Sequence, residues 1–186
     1  YPHTSFTVDE EAGRALLNAA LDSIRAWQQT GVRQAVPAQG ASSVLDSRLG
    51  VFVSLYVNGE LRGCIGSLGG RQELRIAAPE LALSAALDDA RFPALKPRET
   101  GVEVEISILT PMKRVRGPED VQAGVHGAFL RRGLRQGLLL PQVASERGWD
   151  TRTFMKALLQ KAGLSADPWQ DPDSQLYVFR AQRLHG

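Results

Sequence analysis

Apolar residues recur at helical spacing early in the chain. Leu16, Ala20, Ile24 and Trp27 form one stripe, with Leu17 and Leu21 beside them. This spacing predicts an amphipathic first helix. Thr7-Val8-Asp9-Glu10 reads as a capping box with Thr7 at the N-cap, and Gly31 as the glycine just past the helix end. The period then changes. Residues 51–57, Val-Phe-Val-Ser-Leu-Tyr-Val, alternate in the manner of a strand and run into Asn58-Gly59. That dipeptide between two such runs predicts a β-hairpin. A two-residue turn sets Leu55 against Arg62 and Val53 against Cys64. Period two then places Arg62 and Cys64 on one sheet face with Val51, Val53 and Leu55. Phe52, Tyr56, Leu61 and Ile65 take the other face, and a bulge at Gly59 would shift the whole set by one.

A second helix is expected over 72–89, with Leu74, Ala78, Leu81 and Ala85 on one stripe and Pro79 kinking it or marking a restart. Residues 102–109 predict a strand with Val102, Val104, Ile106 and Ile108 on one face and Glu103, Glu105 and Ser107 on the other. Beyond it the pattern predicts a short helix at 118–123, then strands at 126–130 and 137–140 joined by a basic turn. A short helix opens at Pro141. A longer one is capped by Thr151 and carries Phe154, Leu158 and Ala162, and a last strand covers 176–184. Residues 36–43, rich in Ala, Gly, Ser and Gln, read as a loop. Helices and hairpins are mixed without a βαβ repeat, which predicts an α+β fold.

The chain of 186 residues is long enough for one domain, or for two lobes sharing a core. A formal net charge of +2 is too small to point by itself to nucleic acid or a membrane. A single cysteine makes no internal disulfide, which suits a reducing compartment. No secretory pattern and no bilayer-length apolar run is visible, so a cytoplasmic location is expected.

The lone cysteine sits in Leu61-Arg62-Gly63-Cys64-Ile65-Gly66, between strand and loop. A thiol turns nucleophilic when positive charge or a helix N-terminus stabilises its thiolate. Arg62 is the candidate cation. The competing reading makes Cys64 a small apolar residue in a core. Gly63, Gly66 and Ser67 are candidate ligand contacts, since bare backbone lets a ligand come close. A tight structural turn is the alternative, and neither the dinucleotide fingerprint nor the P-loop ending is present. His126, followed by Gly127, is a candidate acid or base. No histidine or cysteine pair has metal-ligand spacing, and no cofactor motif is present. Asp88-Asp89 with Arg91 reads as a solvated helix end. Arg131, Arg132 and Arg135, with Lys113, Arg114 and Arg116, allow a weaker RNA-binding reading, although no aromatics alternate with them.

The hexapeptide does not stand alone. Residues 50–55 before the turn, Asp89-Ala90-Arg91-Phe92-Pro93-Ala94-Leu95, and Val104-Glu105-Ile106-Ser107-Ile108-Leu109-Thr110-Pro111 accompany it. His126-Gly127, Gly137-Leu138-Leu139-Leu140-Pro141-Gln142-Val143 and Lys161-Ala162-Gly163-Leu164 follow in order. Together they resemble the AMMECR family, whose prokaryotic members are called protein A of the AmmeMemoRadiSam system. The resemblance implies an α+β protein of two unequal lobes, each with an antiparallel sheet flanked by helices, and a cleft between them near the hexapeptide. It carries no established reaction. It implies a Memo-like, dioxygenase-related protein and a radical SAM enzyme as partners. Under this resemblance the leading expectation is a small-molecule-binding protein. Cys64 would be the thiol contact or nucleophile, Arg62 its support, and His126 an acid or base. A non-catalytic adaptor is the alternative.

Overall fold

The structure is a computed structural model, and it describes residues 8–165, 168–169 and 171–186. The described chain divides into two compact units. The first runs to Leu109 and includes Gln182–Gly186; the second is Thr110–Ala181. Each carries a four-stranded sheet, and every pairing with a recorded register is antiparallel. With four α-helices among the described residues, the fold is α+β as the sequence predicts.

In the first unit, α1 is Glu10–Thr30 and ends at Gly31 in the left-handed conformation. Its N-cap is Asp9, whose side chain accepts the N–H of Ala12. The predicted cap, Thr7, lies outside the described residues. Strands β1 (Val51–Val57) and β2 (Glu60–Ser67) form the predicted hairpin about Asn58-Gly59, where both φ values are positive as a type I′ turn requires. Helix α2 (Leu74–Leu87) follows, and β3 (Val102–Leu109) returns beside β1. The sheet order is β2-β1-β3-β8, where β8 is Ala181–His185. Val51, Val53, Leu55, Val104, Ile106 and Ile108 form the buried face, packed with Leu16 and Ile24 of α1 and Ala78 and Ala82 of α2.

Pro79 does not break α2, which is one continuous helix. A proline inside a helix leaves the carbonyl four residues earlier without its donor. Here that carbonyl belongs to Arg75, and the N–H of Ala38 donates to it at 2.9 Å. A loop residue replaces the missing bond, so the expected interruption is absent.

The second unit holds β4 (Lys113–Val115), β5 (Gly127–Arg132), β6 (Arg135–Leu139) and β7 (Ser174–Phe179) in the order β4-β7-β5-β6. Strand β4 is too short to stand out in the sequence pattern. Helices α3 (Pro141–Arg147) and α4 (Thr151–Lys161) bury Ala144, Phe154, Met155 and Leu158 with Ala128, Leu130, Leu176 and Val178. Asp150, not Thr151, caps α4, accepting the N–H of Thr153. The expected short helix at 118–123 is a single 3-10 turn, Pro118–Asp120. The expected last strand is two strands, β7 and β8, which pair in different sheets with Arg180 between them.

Candidate functional site

The hairpin register departs from the simple two-residue count. Val57 pairs with Glu60 and Tyr56 with Leu61, but Leu55 pairs with Gly63. Arg62 is therefore the extra residue of a β-bulge. One residue of slip exchanges the two faces beyond it. Gly63 and Ile65 join Leu55 and Val53 on the helix-covered face, whereas Cys64 lies opposite Ser54 on the other. The predicted sharing of one face by Cys64, Val53 and Leu55 is thus corrected. The bulge sits at Arg62 and not at Gly59.

Arg62 is engaged inside the first unit. Its Nη1 donates to Oε1 of Glu99 at 2.6 Å and its Nη2 to Oε2 at 3.1 Å. Nη2 also reaches the carbonyl of Pro93 at 3.3 Å. The side chain is 15% exposed, and its Nε is buried without a hydrogen-bond partner. The paired charges lower the pKa of Glu99, first through these bonds and next through the N–H of Lys96. This two-pronged geometry is what a guanidinium offers a carboxylate. It ties the bulge to residues 93–99.

The arginine beside Cys64 is Arg91. Strand β2 lies at the sheet edge, and an edge strand leaves backbone groups unpaired. At Cys64 both are covered. Its N–H donates to Oδ2 of Asp89 at 2.9 Å, and its carbonyl accepts from Arg91 Nη2 at 3.0 Å. Arg91 donates in turn to both carboxylate oxygens of Asp89, at 3.0 and 2.7 Å. The Asp89 side chain is 7% exposed, so the expected solvated helix end instead carries a buried carboxylate. Its pKa lies far below the ordinary value, because the Arg91 bonds and the Cys64 N–H outweigh burial. The pKa of Arg91 is raised, mainly by its bonds to Asp89. The sequence signal for this pair was present in Asp89-Ala90-Arg91, but its contact with Cys64 spans 25 residues.

The two glycines of the hexapeptide are filled by neighbours. A Cβ on Gly63 would lie 1.8 Å from the carbonyl oxygen of Ala85, so the backbone of α2 crosses directly over it. A Cβ on Gly66 would lie 2.3 Å from the ring of Phe52. Both therefore serve close approach within the fold. Ser67 pairs with Val51 on the helix side and accepts the N–H of Gly69 at 3.3 Å.

The cross-strand pairs set a row across the sheet. Ser54 is flanked by Cys64 of β2 and by Glu105 of β3. Glu105 binds Arg183 of β8 through both oxygens, at 3.0 and 3.1 Å, and its Oε2 lies 3.5 Å from Nδ1 of His185. Directly opposed residues hold their Cβ atoms about 5 Å apart. A half-buried cysteine, a serine hydroxyl and a buried glutamate thus line up on one face. The sequence pattern placed Glu105 on a polar face but gave no reason to join it to Ser54 and Cys64.

His126 belongs to the second unit and Cys64 to the first. The Nδ1 of His126 accepts the N–H of Gln122 at 3.1 Å, so a neutral ring carries its proton on Nε2. Burial lowers its pKa, aided by the charges of Arg180 and Lys113. Three of the six basic residues of the weaker RNA reading are tied within the same unit. Arg131 donates to Gln175, Arg132 pairs with Asp171, and Arg135 donates to the carbonyl of Gly163. Among the described residues no group of three or more His, Cys, Asp or Glu residues could hold a metal. Among the described residues no helix is long and apolar enough to cross a membrane.

A family model, AMMECR1, matches residues 17–184. A protein of Methanothermobacter thermautotrophicus is 40% identical over 185 residues, covering 96% of each chain. One of Methanopyrus kandleri is 41% identical, covering 92% of this chain and 87% of its own. The crystal structure of an uncharacterized protein from Pyrococcus horikoshii superposes with a TM-score of 0.86 at 35% identity, covering 96% of this chain and 93% of that one.

Proposed function

The chain belongs to the AMMECR1 family, and on that footing we propose that it binds a small molecule against the sheet face that carries Cys64. In this reading the sulfur is a direct contact, and Ser54 supplies a hydroxyl beside it. Glu105, held by Arg183, closes the row. The partners remain those the resemblance implied, a Memo-like protein and a radical SAM enzyme. The observation that carries the reading is the treatment of Cys64 itself. Both its backbone polar atoms are fixed by Asp89 and Arg91, while its side chain is directed away from the apolar core. Such fixing is what a contact residue needs to keep its geometry.

Arg62, Gly63 and Gly66 have other roles in this reading: they hold the bulge and the α2 crossing. The test is retention of low-molecular-weight compounds from a cell extract, identified by mass spectrometry, on native protein and on Cys64→Ser. The reading expects a compound retained by the first and lost or weakened on the second. Equal retention on both, with both folded, contradicts it.

One observation favours a non-catalytic adaptor. Three hexapeptide residues are committed to internal packing or pairing. That reading expects Cys64→Ser to change affinity for a protein partner and to leave small-molecule retention alone.

A further inference from the structure

A cavity lies on the helix-covered side of β2, within the first unit. It encloses about 420 Å³, a volume typical of small-ligand sites. Its floor is apolar: Leu49, Val51, Ala77 and Leu81. Its polar lining is Ser67 from the end of β2, Arg71 and Gln72 from the following loop, and Glu80 and Ser84 from α2. Ser67 is on the helix-covered face with Val51, whereas Cys64 is on the other. The cavity therefore goes beyond the site proposed above.

Two features single it out. Arg71 and Glu80 line the same cavity with opposite charges, and among the described residues neither side chain has a hydrogen bond or ion pair, with each other or with any neighbour. The loop that carries Arg71 is also held in place. Its carbonyl accepts from Arg48 Nη1 at 3.1 Å, and the preceding N–H, of Gly70, donates to the carbonyl of Arg48 at 2.8 Å. A fixed backbone thus presents a free guanidinium, and one helical turn of α2 presents a free carboxylate beside Ala77 and Leu81. Ser84 is partly engaged already, accepting from Arg33 at 3.2 Å, so the groups open to a ligand are Arg71, Gln72, Glu80 and the Ser67 hydroxyl proton.

We propose that this cavity binds a small zwitterion with an apolar side chain, of the α-amino acid class. A carboxylate on the ligand pairs with Arg71, its ammonium with Glu80, and its side chain covers the Leu49–Leu81 floor. Both charges are exposed; a simple anion or cation can pair with only one of them, whereas a zwitterion pairs with both.

Free leucine is the probe, titrated by calorimetry against the full chain. Leucinamide lacks the carboxylate, 4-methylpentanoate lacks the ammonium, and glycine lacks the side chain. Arg71→Gln and Glu80→Gln alter exposed residues, and their melting temperatures should match the parent. The proposal expects saturable leucine binding, weakened about tenfold in each variant. Leucinamide should be insensitive to Arg71→Gln, 4-methylpentanoate to Glu80→Gln, and glycine should bind more weakly than leucine. Failure of leucine to saturate by about 10 mM, or binding unchanged in both variants, overturns it. Such a failure would leave the Cys64 reading intact, because that site lies on the other face.

Discussion

The carboxylate of Asp89 accepts the backbone N–H of Cys64 at 2.9 Å, and Arg91, bonded to that carboxylate, donates to the Cys64 carbonyl. One side-chain pair thereby closes the edge of β2 at the residue that bears the thiol. A buried carboxylate with these bonds stabilises the fold by more than a surface ion pair does. Asp89→Asn should lower the unfolding free energy by about 1.5–3 kcal/mol, read in urea with an unchanged slope. Arg91→Ala should cost less, because Arg91 is 65% exposed.

The same pair sets an acid dependence. The carboxyl of Asp89 titrates below its ordinary value of 3.8 when folded. A depressed folded value means the unfolded chain binds the proton first. The stabilisation is therefore complete above the ordinary carboxylate range and is lost as pH falls through the folded value. Glu99, lowered by Arg62, acts in the same direction. Stability should fall as pH drops below about 4, and Asp89→Asn should show a shallower fall. An equally steep acid limb in that variant would separate the effect from Asp89.

Gly63 should tolerate no side chain. The carbonyl of Ala85 occupies the place of its Cβ, and it is helix backbone that cannot swing aside. Gly63→Ala should cost about 3 kcal/mol or abolish folding, whereas Gly59→Ala, with no neighbour within 4 Å, should cost only the strain of its positive φ. Thermal melts of the two variants make the comparison.

How far the sequence reaches is visible along this hairpin. Strand β1, the Asn58-Gly59 turn and β3 follow from alternation and turn chemistry, which are local. The bulge at Arg62 does not, because it depends on Glu99 and the carbonyl of Pro93 drawing that residue out of register. Pro79 misleads for the same kind of reason: the N–H that rescues its helix comes from Ala38, far off in the chain. The last apolar run shows no interior break, yet it serves two sheets. At the candidate site, Cys64 and its hexapeptide were legible, but Ser54, Asp89 and Arg91 join it only through tertiary contacts.

Arg62 and Glu99 offer a direct check on what the hexapeptide arginine does. Both are more than two-thirds buried, and their bonds are mutual. Arg62→Gln and Glu99→Gln should be non-additive in stability, with a coupling of about 1 kcal/mol or more. An additive cycle would mean that Arg62 is free for another task.

In the proposed binding mode the Cys64 sulfur meets solvent and ligand from the sheet face shared with Ser54, and is not sealed in the apolar core. Its most direct test is the rate at which iodoacetamide alkylates Cys64 in the native protein, followed by mass spectrometry and set against the rate in denaturant. The account predicts alkylation under native conditions, faster than global unfolding allows, and slowed by the compound that native protein retains. A sulfur that reacts only as fast as the chain unfolds would contradict it.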